Sequence, residues 1–431
     1  MKPTLYRCIG MAMMMLIVTE LSAQNTQTVL ETDHFFELNN VRNPQISPEG
    51  TWVAYTVSES DLDANESETR IWMVSAEGGE PIPMTAKGYS AGNPRWSPDG
   101  KYLSFTAARN GGQTQVWALN RLGGEAQQIT DIKQGVNSYE WSPDGSRLLL
   151  MIRDAKPEAD GEGKDNDNDK KPEPFVIDRL QFKRDYAGYL DRRRVHIYVY
   201  TPGDSAAVQI TSGDYDQSQP AWSPDGKRIV FVSNRTDNPD GNSNNDIWIV
   251  DADNTDKGQN LTQVTTSPGA DRAPAWSPDG RHITYVTVTD TSVIWYATDH
   301  LAVIPADGGT PRVLTESLDR NVSNPRFSPD GRSIWFILED AGESQLASIS
   351  PNGQNLVRVI AGQVSVSNFD MQGRMIVTQL GRFNVPDEIY SWSGRQLNQL
   401  TRTNAGLLDS VQTGEMMEIT FNSKDGTEIA G

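Results

Sequence analysis

One stretch of the sequence matches a nucleophile pattern. Gly88-Tyr89-Ser90-Ala91-Gly92 fits G-x-S-x-G, in which the serine lies on a tight turn between a buried strand and a helix. Here the stretch runs directly into Asn93-Pro94-Arg95-Trp96, which has no helical pattern. Residues 213–216 and 268–271 occupy the same place in other repeats of the chain. We therefore predict that Ser90 is a loop residue and not a nucleophile.

Two acidic stretches are similar to the start of a calcium-binding loop. Residues 165–169 alternate Asp and Asn, but Lys170 stands at the sixth place, where the loop needs Gly, and Val176 at the twelfth, where it needs Glu. Asp251-Ala252-Asp253 fails in the same way, with Asp256 at the place of the Gly. These patterns favour solvated acidic loops, and we expect no bound metal or cofactor.

The remaining candidates are basic. Arg192-Arg193-Arg194 has the charge to face a peptide carboxylate, but pairing with the many acidic loops is the favoured interpretation. The four histidines lie in the N-terminal leader, at strand borders or after a turn, and none has a partner typical of a catalytic triad: His34, His196, His282 and His300. We assign no catalytic, metal-binding or cofactor-binding residue, and the residues that bind substrate stay unknown.

A repeated phrase organises the chain around these residues. Pro220-Ala221-Trp222-Ser223-Pro224-Asp225-Gly226 returns in closely similar form at 274–280. Looser copies occupy 44–50, 94–100, 139–145 and 325–331, and a worn seventh copy occupies 369–373. Repeats with periods of 20–50 residues indicate solenoids, propellers or arrays.

The phrase predicts a strand, a turn and another strand. Proline presets φ, aspartate bonds its own backbone, and glycine accepts a positive φ, so Ser-Pro-Asp-Gly is a turn sequence. Arg228–Val232 then alternates as a strand, and Ile247–Val250 is a strand with an aromatic centre. Each repeat closes on a strand that ends in a threonine, such as Thr211. Four antiparallel strands per repeat make one propeller blade.

The spacing of the turns sets the number of blades. The turn serines, with Asp370 in the place of the seventh, are 50, 45, 81, 54, 51 and 42 residues apart. Most spacings match the roughly 40–50 residues of a propeller blade, and the long one contains a single turn phrase and therefore an insertion. We predict an all-β, seven-bladed propeller. Six blades remain possible if the seventh copy is spurious, and eight if the insertion hides a blade.

Composition agrees with one large all-β domain. The chain has 431 residues, of which 36% are hydrophobic and 22% charged, and its eleven tryptophans lie in the repeats, where they would fill the seams between blades. The formal net charge of −19 repels nucleic acid and anionic membranes, so neither is expected as a partner.

Residues 1–23 have the pattern of a secretory signal peptide. Lys2 and Arg7 precede the apolar run Cys8–Val18, and Leu21-Ser22-Ala23 offers a cleavage site. The run is too short to span a membrane, and cleavage would remove the only cysteine. We therefore expect an exported protein, periplasmic or extracellular, with a formal charge of −20 after two basic residues and one acidic residue are lost.

The remaining boundaries follow from composition. We expect a leader at 24–40, the propeller at 41–401, and a disordered acidic insertion in blade three at 154–174. Residues 402–431 read as a linker and the first hairpin of a further domain, which is expected to be missing because the chain stops in mid-strand. No N-terminal strand completes the last blade, so the ring should close through side-chain packing without strand exchange.

Three stretches resemble a known family. Residues 176–180 with 186–194 and 196–199 are similar to the third-blade segment of acylaminoacyl-peptidases and dipeptidyl-peptidases, which are prolyl oligopeptidase family serine peptidases. Residues 386–390 resemble that family's last-blade phrase, and 418–426 resemble the first hairpin of its α/β-hydrolase domain. The resemblance covers nearly all of the chain after the signal peptide.

The resemblance implies that catalysis and substrate access are carried out by different domains. In this family the hydrolase domain holds the Ser-Asp-His triad, and the propeller caps it and restricts access to short peptides. The expected partners are therefore short peptides, which use the central channel of the intact protein, and its own hydrolase domain. This chain ends before the expected nucleophile elbow, so it carries no catalytic residue of that kind and should not hydrolyse peptides alone.

The repeats are also compatible with two other functions. A TolB-like periplasmic propeller that binds proteins would have a small α/β domain before a six-bladed ring, whereas only residues 24–40 precede the first repeat here. A propeller enzyme acting on sugars would need a metal site or an acid pair, and the sequence shows neither. The sequence leaves open the substrate preference, the cleavage mode and the oligomeric state.

Overall fold

A computed structural model describes residues 27–156 and 176–430 of the protein. The predicted signal peptide at 1–23 lies outside these residues. So do most of the acidic insertion predicted at 154–174 and the calcium-like stretch at 165–169. No helix in the described ranges has the length and apolar character needed to cross a membrane.

The described strands form four-stranded antiparallel sheets in chain order, which we number blades 1 to 7. A short strand β1 (Thr28–Val29) and helix α1 (His34–Glu37) precede them. Blade 1 contains β2 (Asn40–Ile46), β3 (Trp52–Asp61), β4 (Glu66–Ser75) and β5 (Ile82–Pro83). Blade 2 contains β6 (Ala91–Trp96), β7 (Tyr102–Ala107), β8 (Gln115–Asn120) and β9 (Gln127–Gln128).

Blade 3 carries an inserted hairpin. It contains β10 (Ser138–Trp141), β11 (Leu148–Arg153), β14 (Val195–Tyr200) and β15 (Val208–Gln209), and the hairpin β12 (Lys183–Arg184) with β13 (Gly188–Tyr189) lies between β11 and β14. Blade 4 contains β16 (Ser218–Trp222), β17 (Arg228–Ser233), β18 (Asp246–Asp251) and β19 (Thr262–Gln263). Blade 5 contains β20 (Asp271–Trp276), β21 (His282–Val288), β22 (Asp299–Pro305) and β23 (Arg312–Val313).

The last two blades share one sheet. Blade 6 contains β24 (Val322–Phe327), β25 (Ile334–Asp340), β26 (Glu343–Ile349) and β27 (Val357–Ile360). Blade 7 contains β28 (Ser365–Gln372), β29 (Met375–Arg382), β30 (Val385–Trp392) and β31 (Leu397–Gln399). A single parallel pair, Ser344 with Ser365, joins them. Helix α2 (Ala405–Ser410), β32 (Val411–Gln412) and the hairpin β33 (Thr420–Asn422) with β34 (Glu428–Ala430) follow.

Each turn phrase closes the two inner strands of its blade. In blade 4 the amide of Arg228 donates to Ser223 Oγ at 2.9 Å, and that hydroxyl donates to Asp225 Oδ1 at 2.6 Å. Gly226 has φ +68°, a conformation that residues with a Cβ rarely adopt. The same pattern returns in the other Ser-Pro-Asp-Gly copies, so the predicted turn chemistry is confirmed.

Tryptophans that end innermost strands pack on the preceding blade. Trp222 Nε1 donates to the carbonyl of Glu140 at 3.4 Å, Trp276 Nε1 to that of Ala221 at 3.3 Å, and Trp96 Nε1 to that of Gln45 at 3.0 Å. The ring of Trp222 is nearly fully buried in a cluster shared by blades 3 and 4. These indoles therefore fill the seams, as the sequence predicts.

The first and last blades meet and close a ring. Val41 and Tyr55 of blade 1 share one buried cluster with Val377 and Ile389 of blade 7. Among the described residues, no strand of blade 1 pairs with a strand of blade 7, and each of the two blades is built from consecutive strands. The prediction of an all-β propeller, closed without strand exchange, is therefore confirmed.

Closure also uses hydrogen bonds, which the sequence prediction of packing alone omits. Asn404 accepts from the amide of Asn39 at 2.8 Å and donates back to its carbonyl at 3.0 Å. Outside the ring, β1 pairs in parallel with β32 through two residues on each strand.

The predicted place of Asp370 is wrong. The repeat pattern predicts that this residue takes the place of the turn serine, but it lies inside β28, paired with Val377. The seventh repeat has no Ser-Pro-Asp-Gly, and a shorter turn at Gly373-Arg374 lets β28 continue to Gln372. Asp370 consequently points inward, where its carboxylate accepts from the amide of Ile46 at 2.8 Å.

Two carboxyl groups are buried together between blades 4 and 5. Burial, with a smaller contribution from the charge of Asp271, raises the pKa of Asp246 to about 6. Burial also raises the pKa of Asp271, whose Oδ1 has no hydrogen-bond partner among the described residues. Asp246 accepts from Thr265 at 3.0 Å and from Gln263 at 3.1 Å, which offsets part of the cost of burying it.

This acid pair predicts a pH-dependent stability. Because the folded pKa of Asp246 lies above its unfolded value, ionisation costs stability, and that cost appears as pH rises from about 4 to 6. Asp246→Asn should therefore raise the free energy of unfolding by about 1 to 3 kcal/mol at pH 7, with the gain vanishing near pH 4. Denaturant unfolding at both pH values measures it. Asp251→Asn, at the exposed end of the same strand, should change little; a destabilised Asp246→Asn at pH 7 would refute the account.

Candidate functional site

The innermost strands of the blades surround a central channel. Residues from all the blades line one cavity of about 920 Å³ on the axis. Its wall includes the turn prolines Pro48, Pro98, Pro143 and Pro224, so the cavity lies toward the end of the ring that carries the Ser-Pro-Asp-Gly turns. We call this end the turn face. The opposite end, which carries the loops between the second and third strands, is the hairpin face.

A repeated β-bulge shapes the channel wall. In five innermost strands the residue before a proline has φ between +50° and +56° and the ladder register shifts there: Asn43, Asn93, Gln219, Ala273 and Asn324. The bulge aims polar groups at neighbouring blades. Gln219 Oε1 accepts from the amide of Ala273 at 2.7 Å, and Asn324 Nδ2 donates to Asn368 at 3.1 Å.

Blade 3 is the exception. Strand β10 pairs without a register shift, and Tyr139 stands where other blades have the proline of the bulge. Its hydroxyl donates to the carbonyl of Asn93 at 3.1 Å and lies 2.8 Å from Ser104 Oγ. This tie to blade 2 holds Glu140, the next residue, on the channel wall.

Charged side chains of opposite sign meet in the channel. Arg326 of blade 6 pairs with Asp370 of blade 7 at 3.1 Å. Arg95 donates to the carbonyl of Pro94 at 2.9 Å and forms no ion pair with a described residue. Burial raises the pKa of Glu140 to about 7, although the charges of Arg95 and Arg326 act to lower it. Near neutral pH the wall therefore carries two guanidinium groups, a paired carboxylate and a carboxyl that is partly protonated.

The hairpin face carries the insertion of blade 3. Arg179 forms two bonds with Asp240 of blade 4, Nε to Oδ2 at 2.9 Å and Nη2 to Oδ1 at 2.5 Å. Such two-point contacts fix orientation as well as distance. They attach the stem of the insertion to the next blade.

The three consecutive arginines, Arg192 to Arg194, pair with acidic residues, which is the interpretation that the sequence favours. Arg192 pairs with Asp178 at 3.0 Å, and Arg193 with Asp191 at 2.7 Å. Arg194, which is buried, pairs with Asp214 at 2.8 Å and with Asp216 at 3.1 Å. These contacts neutralise Arg194 from within the protein, as the favoured interpretation predicts.

Apolar side chains stand exposed at the hairpin face. Tyr186 of blade 3 and Tyr296 of blade 5 are almost completely accessible, and Leu62 and Phe383 at the tips of blades 1 and 7 are more than half accessible. The hairpin β33–β34 lies on the same side, where it borders a cavity of about 970 Å³ with loops of blades 5 and 6. Exposed apolar groups collected at one end of a protein mark a contact surface.

The serine and histidines that the sequence offers as catalytic candidates have structural roles. Ser90 is exposed, its Oγ accepts from the amide of Thr69 at 3.2 Å, and a strand follows it, not a helix. His196 is buried and bonded to Gln217 at 2.8 Å, and His300 is bonded to the carbonyl of Thr315 at 3.0 Å. Among the described residues, no three His, Cys, Asp or Glu side chains are grouped so that they could hold a metal ion.

Comparison with known proteins bears on this site. Dipeptidyl-peptidase 5 of Porphyromonas gingivalis is 25% identical over 413 residues, which cover 91% of this chain and 58% of that protein. The acylaminoacyl peptidase of Pyrococcus horikoshii superposes with a TM-score of 0.73 at 20% identity, over 92% of this chain and 57% of that one. The relatives of this chain are peptidases of the prolyl oligopeptidase family. No family model matches the chain.

The part shared with these peptidases is the propeller. The β-propeller domain of the trilobed protease of Pyrococcus furiosus, described as having an open velcro topology, superposes with a TM-score of 0.59 at 17% identity. The match covers 85% of this chain and 97% of that domain. The chain thus spans little more than half of the peptidase from Porphyromonas gingivalis and nearly all of a solved propeller domain.

Sequence reasoning missed the channel residues of this peptidase relative. Arg95, Glu140 and Arg326 each directly precede the aromatic residue of a turn phrase, so the repeat itself marks the inward position. Asp370 was misaligned, and nothing in the sequence shows that these four side chains meet on one axis.

The channel carboxyl makes a direct prediction. With glutamate carboxyls labelled with carbon-13, one signal should titrate near pH 7 and be lost in Glu140→Gln. Arg95→Met should raise that midpoint by about half a unit to one unit, because a favourable charge is removed. Arg281→Met, a loss of the same charge outside the channel, should leave it unchanged. A Glu140 midpoint near 4.5 in the unaltered protein would contradict the geometry.

Proposed function

We propose that this chain is the propeller of an exported serine peptidase that cleaves short peptides. The observation that carries the proposal is the sequence relationship to dipeptidyl-peptidase 5 across 91% of the chain. It is supported by the hairpin β33–β34, which leaves the last blade on the hairpin face and matches the position at which the hydrolase domain is expected to begin.

The chain's own role would be to control access. A closed ring leaves two routes to a domain seated on the hairpin face, namely the central channel and a gap beside the ring. The channel cavity of about 920 Å³ is of the size that encloses a small ligand and excludes a folded protein. Unfolded peptides of a few residues could enter, while larger chains would be kept from the reacting serine.

The chemistry itself would take place outside this chain. In an acyl-enzyme mechanism a serine activated by histidine attacks the peptide carbonyl, and water later releases the acyl group. We assign none of these steps to a described residue. Residues 27–156 and 176–430 would hold the substrate in reach of that domain and exclude longer chains.

Export is the second part of the proposal. Its support is the basic start, the apolar run and the small-residue cleavage site within 1–23, together with the absence of any cysteine after Cys8. A protein secreted by this route would keep its shape without disulfides, since the ring buries a large core of its own.

The whole protein encoded with this chain provides the test. It should cleave peptides of about four to ten residues, a range that suits a cavity of this volume, and should leave an unfolded 40-residue peptide with the same cleavage sequence largely intact. Residues 24–431 alone, as the matched control, should turn over neither. Mass spectrometry of the products measures both.

Two results would overturn the proposal. One is equal cleavage of the short and the long peptide, which would remove the gating role. The other is a gene without a hydrolase domain and a protein without peptidase activity, which would favour the protein-binding propeller.

A further inference from the structure

Two arginines on the hairpin face lie in the same aromatic cage. The guanidinium of Arg109 in blade 2 lies 4.4 Å from the ring centre of Trp117, 5.4 Å from Tyr89 and 5.6 Å from Phe105. In blade 4 the guanidinium of Arg235 has the equivalent neighbours Trp248 at 5.3 Å, Tyr215 at 4.9 Å and Phe231 at 6.0 Å.

The two cages are built by the same repeat positions. Counted from the turn serine, the tyrosine stands eight residues before, the phenylalanine eight after and the arginine twelve after in both blades. Both indoles are held alike: Trp117 Nε1 donates to the carbonyl of Ala107, and Trp248 Nε1 to that of Ser233, each at 3.1 Å. The nucleophile-like stretch at 88–92 thus supplies a wall of a cage, through Tyr89.

Neither caged arginine has an acidic partner. No ion pair or hydrogen bond joins the guanidinium of Arg109 or of Arg235 to any other described residue. The Nε of Arg109 and the Nε and Nη2 of Arg235 are buried without acceptors, while the remaining guanidinium nitrogens reach the surface. Burial lowers the pKa of Arg235. Rings offset only part of the desolvation of such a charge.

In three other blades the residue twelve positions after the turn serine is acidic and has polar partners. Glu59 of blade 1 is paired with Arg70 at 2.9 Å and with Lys87 at 3.1 Å. Asp154 of blade 3 accepts from the amide of Arg194 at 2.9 Å. Asp340 of blade 6 contacts two arginines. Where the position is acidic its carboxylate has polar partners within the protein, and where it is Arg109 or Arg235 the guanidinium has none.

The location suits a substrate. Tyr89 and Tyr215 lie in the loops that lead into the innermost strands β6 and β16, and Arg109 and Arg235 follow the second strands β7 and β17, so both cages stand at the hairpin face. This is the face on which the proposed hydrolase domain sits. In a chain with a formal charge of −19, two uncompensated half-buried cations here are not explained by general surface composition.

We propose that Arg109 and Arg235 form two equivalent sites that bind carboxylate groups of peptides at the hairpin face. The ligand chemistry is a carboxylate, which either the free C-terminus or an acidic side chain of a peptide supplies. The role as a substrate contact rests on the proposed peptidase function; the binding itself does not.

The cage geometry favours this ligand. A guanidinium presents planar donors that match the two oxygens of a carboxylate. The rings hold the plane of each guanidinium in place, and the donors open to a ligand are Nη1 and Nη2 of Arg109 and Nη1 of Arg235. Little side-chain freedom is therefore lost when a ligand binds. A neutral amide would gain a weaker bond and leave the buried charge uncompensated.

Binding to the full chain tests the proposal with three probes of one length. These are acetyl-Ala-Ala-Ala-amide, acetyl-Ala-Ala-Ala with a free carboxylate, and acetyl-Ala-Asp-Ala-amide. At least one of the two anionic probes should bind tenfold or more tightly than the neutral one, and the tighter anionic probe identifies the source of the carboxylate. Because Trp117 and Trp248 are walls of the cages, tryptophan fluorescence reports binding alongside calorimetry.

Arginine variants separate binding from packing. Arg109→Gln and Arg235→Gln should each weaken binding of the anionic probe at that site by about tenfold to a hundredfold. The lysine variants keep the charge but lose the planar guanidinium that stacks against the rings, and should also weaken it. Arg281→Gln removes the same charge on the turn face and should alter affinity less than twofold. Circular dichroism confirms that each variant is folded, and a variant that does not fold is replaced by Trp117→Phe or Trp248→Phe.

Two results would overturn the inference. One is equal affinity for the anionic and neutral probes; the other is an Arg281→Gln effect as large as that of the cage variants, which would make the cages packing features alone. Arginine-dependent carboxylate binding in a protein without peptidase activity would support the sites and remove only the proposed function.

Discussion

Burial on both faces is the constraint on which this structure depends. A blade of four short strands is apolar on both sides, so it is stable only between two neighbours. In blade 4 the second strand, Arg228–Ser233, is buried at every residue after the first. The tryptophan before the turn fills the seam on one side and ties it to a backbone carbonyl of the preceding blade. Every other feature follows from repeating that seam around an axis.

The seam between blades 1 and 7, where the ring closes, differs from the other seams. Neighbouring blades are joined by a peptide connection, whereas in the described chain blades 1 and 7 are joined by noncovalent contacts alone, to which the pairing of β1 with β32 adds outside the ring. That contact contains a shared apolar cluster, the reciprocal bonds of Asn39 and Asn404, and the carboxylate of Asp370 on the amide of Ile46. Asp370 also holds Arg326, so the closing seam and the charged channel wall share a residue.

Most of the fold could be predicted from the sequence by rules that involve only neighbouring residues. Ser-Pro-Asp-Gly fixes its turn through the chemistry of four adjacent residues, and the alternation of Arg228–Val232 marks its strand. The hairpin at 420–430 and the pairing of Arg192 to Arg194 also depend on neighbouring chain. Local rules failed at Asp370, because a shorter turn shifts the end of β28.

Features that need distant residues escaped sequence reasoning. Glu140 meets Arg326 only because the ring brings blades 3 and 6 to one axis. Closure by Asn39 and Asn404 joins residues 365 positions apart. The caged arginines were only partly predictable. Their regular spacing from the turn serines is visible in the sequence, but the lack of an acidic partner is visible only in the structure.

Native-state hydrogen exchange, resolved by blade, tests the central claim most directly. If the ring is closed without strand exchange, the amides of β2 and of β28 to β30 should lose protection together, at a lower opening free energy than the amides of β16 and β17. Asn404→Ala should lower that opening free energy and leave blade 4 unchanged. Equal protection at every seam, or a blade 4 that opens first, would contradict the account of a ring held at one noncovalent closure.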